Sequence, residues 1–223
     1  MLQAGLVGAV AGAAITRFAG FRRLAEISFL APDRELLAHR GWLLAAIAGW
    51  AVFGVYWDAA AKNAAKARSS ESRSSRAVHV VLANVALLLE IAPVHGFGRF
   101  LPASPLLMAA GIAVEACGLA LAIWARRHLG SKWSGEISIK VAHQLIRSGP
   151  YRRLRHPIYT GLLAMYAGLV LVTGEWLAGL GLSMAGLAYW RKISLEEANL
   201  DIAFGPEYEA YRRTTWRLVP GVF

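Results

Sequence analysis

The stretch RSGPYRRLRHPIYTG, Arg147 to Gly161, sets arginines, a histidine, two prolines and two tyrosines directly before an apolar run. Its chemistry is that of an anion site. Pro157 suits the first turn of a helix, because its missing N–H would be unpaired there anyway. His156 then falls at the cap, and the amides of Tyr159 and Thr160 point out of the helix start. Arg155 and His156 beside that start would draw a carboxylate or phosphate. SGPY, Ser148 to Tyr151, reads as a turn that bends the chain back over this point. A plain membrane anchor is the competing explanation, with arginines snorkelling to headgroups and tyrosines in an aromatic belt. That explains Arg152 and Arg153 well, but leaves His156 and both prolines without a reason.

A second group lies in YWRKISLEEANLDIAFG, Tyr189 to Gly205. On a helix, Ile193, Leu200 and Phe204 make an apolar stripe, and Glu197 falls within it. Lys192, Glu196 and Asn199 share the adjacent face. A carboxylate in an apolar stripe, one turn beyond a membrane span, is costly unless it has a partner. The bland alternative is a Lys192–Glu196 surface pair with Glu197 tilted to water. Lys before Glu is the weaker order for such a pair.

The elements that must position these residues follow from composition. Hydrophobic residues make up 57% of the 223, charged residues only 17%, and the mean hydropathy is +0.43. The expected class is an all-α, polytopic membrane protein with five to six transmembrane helices. Candidate spans are Leu2 to Phe18, Gly41 to Trp57, Ala77 to Val94 and Pro105 to Trp124. The block Ile158 to Trp190 is long enough for two passes and breaks at TGE, Thr173 to Glu175, so it reads as a helical hairpin. Gly8 and Gly12 add a GxxxG spacing to the first run, which Arg17 closes early. Two regions result: N-terminal transmembrane helices over 1–124, and a region over 125–223 holding a polar loop, the hairpin 158–190 and a C-terminal tail. In the tail, FGPEYEAYRR reads as a helix end, a Gly-Pro break and a short helix from Pro206.

A formal net charge of +10 is common in nucleic-acid binders, but the cations here sit in short segments between apolar runs. That placement suits loops facing anionic lipid, and no nucleic-acid partner is expected. The 58–76 connection carries five Lys and Arg, the 93–104 connection one and the 125–157 segment eight. The alternation places 58–76, 125–157 and the tail in the cytoplasm, with the Glu175 tip outside. Loop 21–40 is less decisive, because three acids offset its four cations. The first cation is Arg17, which makes a poor signal peptide, so the first run is expected to be retained. The lone cysteine, Cys117, lies in an apolar run and allows neither a disulfide framework nor a Cys-based metal site. His128 and His143 lack zinc spacing, so no metal is expected. Gly96-Phe97-Gly98 has no strand before it, and no Rossmann pattern exists.

The joint pattern H-x-L-I-x-x-G-P-Y-x-x-x-R-H-P-x-Y-x-G, then an apolar hairpin, then E-E-x-x-L-x-x-x-F-G-x-x-Y-x-x-Y resembles the isoprenylcysteine carboxyl methyltransferase family. Phospholipid N-methyltransferases share much of it. The likeness covers Arg126 to Pro220. It implies an integral membrane, S-adenosylmethionine-dependent methyltransferase with a cytoplasmic cofactor pocket closed by the loop before the hairpin and by the tail. By this resemblance His143, Gln144, Leu145 and Ile146 line the cofactor with Tyr151, while His156, Pro157, Ile158 and Tyr159 surround its methionine part. Glu196 would contact the cofactor as an acid. The family's substrate-carboxylate arginine, four residues before the first Glu, is Lys192 here, with Arg191 next to it. Lysine supplies charge without a bidentate fork.

A carboxylate acceptor is already ionised and needs only a cation, whereas an amine acceptor needs deprotonation by Glu196 or Glu197. The implied reaction is O-methylation of a carboxylate on an isoprenylcysteine-like or other lipidic substrate, entering between spans from the surrounding membrane lipid. The alternatives are N-methylation of a phospholipid amine and, behind it, an NADPH-dependent reductase of the sterol type. The Glu196-Glu197 pair opposes the last, since it would repel a nucleotide 2′-phosphate. A non-enzymatic membrane scaffold would need the cations at 147–155 but neither His156 nor Glu196.

Overall fold

A computed structural model describes residues 34–62, 72–91, 98–130 and 145–222, with side chains from 40 onward. Among these residues the regular structure is helical. The elements are α1 (Arg34–Ala61), α2 (Arg73–Ile91), α3 (Pro105–Leu129), a 3-10 turn (Gly149–Arg152), α4 (Pro157–Thr173), α5 (Trp176–Phe204) and α6 (Pro206–Arg213). The expected first span, Leu2 to Phe18, lies outside the described residues, as do His143 and Gln144.

Among the described residues three helices are long and apolar enough to cross a membrane: Arg40–Ala61, Pro105–Leu129 and α2. The apolar α4 is shorter, at 17 residues. Val55, Leu106 and Leu187 are each more than 70% exposed, an arrangement that suits lipid rather than water. The core lies between the helices, around Trp50, Met165, Tyr166, Leu169, Ala185 and Tyr189.

The hairpin forms where expected. Gly174 ends α4 at φ +66°, the left-handed conformation that favours glycine. Its carbonyl accepts the amides of Phe100 (2.9 Å) and Leu101 (3.2 Å), so the segment before α3 pins the hairpin tip. α3 packs antiparallel on α4 with the backbones nearly touching. A Cβ on Gly118 would lie 2.5 Å from the Gly161 carbonyl, and one on Gly168 would lie 2.5 Å from the Gly111 carbonyl. Two glycines seven residues apart on each helix therefore form one seam, as small residues do between membrane helices. α2 runs along α5. The hairpin's open end meets the 3-10 turn and α6, and the polar residues of interest gather there.

Candidate functional site

Pro157 opens α4 as its first residue, with His156 at the cap position. The Thr160 amide bonds the His156 carbonyl at 3.0 Å. It is thus spent within the helix, and Ile158 and Tyr159 are left as donors at the helix opening among the described residues. The 3-10 turn places Tyr151 alongside; its backbone carbonyl accepts the buried Tyr211 hydroxyl of α6 at 2.6 Å. Gly149 in that turn has φ +59° and a Cβ there would collide with the His128 ring. His128 in turn bonds the Ser148 hydroxyl at 2.8 Å.

α5 delivers the facing wall. Past Trp190 it leaves the apolar part of the chain and presents Lys192, Glu196 and Glu197. The Tyr159 hydroxyl donates to Glu196 Oε1 at 2.5 Å, and Glu196 Oε2 lies 3.7 Å from His156 Nδ1. The other imidazole nitrogen, Nε2, is 3.1 Å from Glu197 Oε1. His156 thus sits between the two carboxylates. Burial first, and the charge of Glu196 second, push the Tyr151 phenol far above its ordinary value. That ties Tyr151 to the same acid.

Glu197 is the carboxylate the apolar stripe singled out, and its partners are present. Arg155 Nε donates to Oε1 at 3.0 Å, and an Arg217 amine lies 3.0 Å from Oε2. Burial would raise its pKa, but the hydrogen bond and charge of His156, with Arg155 and Arg217, outweigh that and hold it down at about 2. Glu196 is the more accessible of the pair, with its side chain 26% exposed against 12% for Glu197. Lys192 is buried, one turn before Glu196.

Of the residues singled out from the sequence, Tyr151, His156, Pro157, Ile158, Tyr159, Glu196 and Glu197 converge on this end of the bundle. Leu145 and Ile146 lead into the 3-10 turn, half-buried. Three participants escaped the sequence reading. Tyr189 stacks its ring 5.3 Å from that of Tyr159, and the spacing Tyr189, Lys192, Glu196 (i, i+3, i+7) was a usable signal. His79 of α2 lies 5.3 Å from the Tyr189 ring, and Arg217 comes from the tail; neither leaves a periodic trace.

The tail itself is tied down by main-chain bonds. The Arg155 amide bonds the Trp216 carbonyl (2.8 Å), the Trp216 amide the Arg153 carbonyl (2.9 Å) and the His156 amide the Arg217 carbonyl (3.3 Å). Thr160 Oγ1 donates to the Leu218 carbonyl at 2.8 Å.

Residues 106–207 match the model of the phospholipid methyltransferase family. A Protein-S-isoprenylcysteine O-methyltransferase from Dictyostelium discoideum is 27% identical over 81 residues, which are 36% of this chain and 34% of the relative. A solved eukaryotic intramembrane Ras methyltransferase, an isoprenylcysteine carboxyl methyltransferase, aligns over 68% of this chain and 54% of its own, at 20% identity and a TM-score of 0.48. The chain therefore spans about a third of the curated relative and about half of the solved one. The matches are thus to the phospholipid methyltransferase model over somewhat less than half of the chain and to an isoprenylcysteine methyltransferase over part of its length, the proteins that the motifs resemble.

Proposed function

We infer that this membrane protein, related over its C-terminal half to the phospholipid and isoprenylcysteine methyltransferases, transfers a methyl group from S-adenosylmethionine to the carboxylate of an isoprenylcysteine-like or other lipidic acceptor. The observation that carries the reading is the placement of Glu196. Its side chain is 26% exposed, oriented by the Tyr159 hydroxyl, and set across from the opening of α4. A cofactor bearing an α-ammonium and an α-carboxylate fits this pairing. The ammonium suits Glu196, and the carboxylate suits the first-turn amides of Ile158 and Tyr159. Tyr151, with Leu145 and Ile146 on the approach to it, forms the flank. By the resemblance alone, His143 and Gln144 are assigned to the cofactor as well.

When bound, the cofactor supplies an electrophilic methyl group on a sulfonium. The chain's own task is then alignment rather than covalent help. Lys192 supplies the cation that holds an acceptor carboxylate from one turn below Glu196. Tyr159 and Tyr189 supply aromatic walls that exclude water and favour a nearby positive charge. Glu197 has its two oxygens engaged by Arg155, His156 and Arg217 and is held at about 2, so it is a poor proton acceptor. The pocket opens at the end of the bundle that the charge alternation assigns to the cytoplasm.

N-methylation of a phospholipid amine is the second reading. It is favoured by the description of the matching family model and by a lysine where a bidentate arginine would grip a carboxylate. In that case Glu196 takes the proton the amine must lose. The first test titrates the purified, detergent-solubilised protein with S-adenosylmethionine and with NADPH, for wild type and Glu196→Ala. Wild type is expected to bind the former alone, and Glu196→Ala to bind it about tenfold or more weakly, the loss of a charge-assisted hydrogen bond. Absence of binding by the wild type overturns the reading, and unchanged binding in the variant overturns the site. Transfer of radiolabelled methyl into a prenylcysteine analogue or into phosphatidylethanolamine vesicles then separates the two acceptors.

A further inference from the structure

Arg217 reaches His156 by two routes. Its backbone carbonyl accepts the His156 amide at 3.3 Å. Its guanidinium lies 3.0 Å from Glu197 Oε2, and the other oxygen of that carboxylate is 3.1 Å from His156 Nε2. One tail residue thus closes a ring through the backbone and the imidazole of the α4 cap. The guanidinium is itself fixed: it donates to the Ser194 hydroxyl at 3.0 Å and lies 4.1 Å over the Trp190 ring. Its side chain is only 14% exposed, so the pair is shielded from solvent, and removing one partner leaves the other charge buried without it. Arg155, the other guanidinium on Glu197, is spent on the Arg212 and Thr215 carbonyls as well. Arg155 therefore anchors the tail, and Arg217 connects the anchored tail to the cap.

We propose that Arg217 is a positioning residue of the candidate cofactor site, fixing His156 through its own carbonyl and through Glu197. The tail is then part of the pocket wall's rigidity and not a trailing end. Without the Arg217 guanidinium, Glu197 keeps Arg155 and His156 with the Tyr208 hydroxyl beside it, and the residue-217 carbonyl that accepts the His156 amide is no longer tethered by its own side chain. The inference rests on the cofactor reading for its effect on binding, but its structural half stands without it.

The test uses the full chain in detergent, with Arg217→Ala, Arg217→Lys and the same two changes in a Glu197→Gln background. S-adenosylmethionine affinity is expected to fall roughly tenfold in Arg217→Ala, as for a lost charged hydrogen bond. Arg217→Lys, which keeps the charge but loses the planar stack on Trp190, should fall between wild type and Arg217→Ala. In the Glu197→Gln background the alanine change should cost less than about twofold, because the partner it acts through is gone. An equal loss in both backgrounds overturns the proposal.

Amide hydrogen exchange over residues 153–156, without any ligand, is the independent arm. Exchange should quicken in Arg217→Ala and return toward wild type in Arg217→Lys; no change in either overturns the proposal. If wild type binds no S-adenosylmethionine yet the exchange responds in this way, the proposed function fails and the positioning role stands. Should Arg217→Ala not purify as folded protein, Arg217→Gln replaces it in every arm.

Discussion

Glu197 gives the site its pH dependence. Its carboxyl is held at about 2, below the ordinary value near 4.3 of an unfolded chain. A depressed pKa adds stability that is fully present above about pH 5 and is lost as pH falls toward 2. The shift corresponds to something on the order of 3 kcal/mol. Thermal unfolding in detergent between pH 7 and pH 3 should therefore show a falling midpoint for wild type. Glu197→Gln should start lower and vary less; an equally steep profile in the variant would sink this account. At Tyr159 the phenol is the donor that orients Glu196, so Tyr159→Phe should weaken cofactor binding by a few-fold to tenfold while leaving the unfolding midpoint nearly unchanged. Most of this was legible in the residues themselves. RHP placed His156 at a helix start, and a glutamate in an apolar stripe announced that partners had to exist. Which partners was not legible, because Arg155 and Arg217 lie 42 residues before it and in the tail, joined to it only by folding.

The helix pairs carry a different kind of information. The hairpin break at Thr173 to Glu175 and the start of α6 at Pro206 were readable because glycine and proline have local, backbone-level meanings. The seam between α3 and α4 was not. Gly111 and Gly118 look like ordinary small residues until they are set against Gly168 and Gly161. A side chain there must displace backbone, so Gly161→Val is expected to destabilise the protein by about 1–3 kcal/mol or more, as a lowered unfolding midpoint in detergent. Gly186, whose added Cβ meets nothing within 4 Å, is the control, and Gly186→Val should leave the midpoint close to wild type. Equal effects at both positions would mean that the seam does not govern packing.

Across the molecule, carboxyl groups are buried inside the bundle as well as at its polar end. Glu90 and Glu115 are buried in the helical bundle, and their oxygens have no hydrogen-bond partner among the described residues. A partnerless ionised group there would cost several kcal/mol, so Glu115→Gln, which keeps the shape without the charge, should match or exceed wild-type stability. The orientation of the bundle is tested by cysteine labelling in a Cys117→Ser background. A membrane-impermeant maleimide should modify Glu175→Cys in intact cells and Glu207→Cys only after permeabilisation; the reverse pattern would invert the topology. The end of the bundle where α4 opens is completed late in synthesis. The wall formed by Arg153 to Thr160 is held by Trp216, Arg217 and Leu218, which are synthesised some sixty residues later. The hairpin can insert and pack while the tail is still inside the ribosome, but the α4 opening cannot take its final form until the tail emerges. Insertion of the hairpin and ordering of the α4 opening are thereby separated in time.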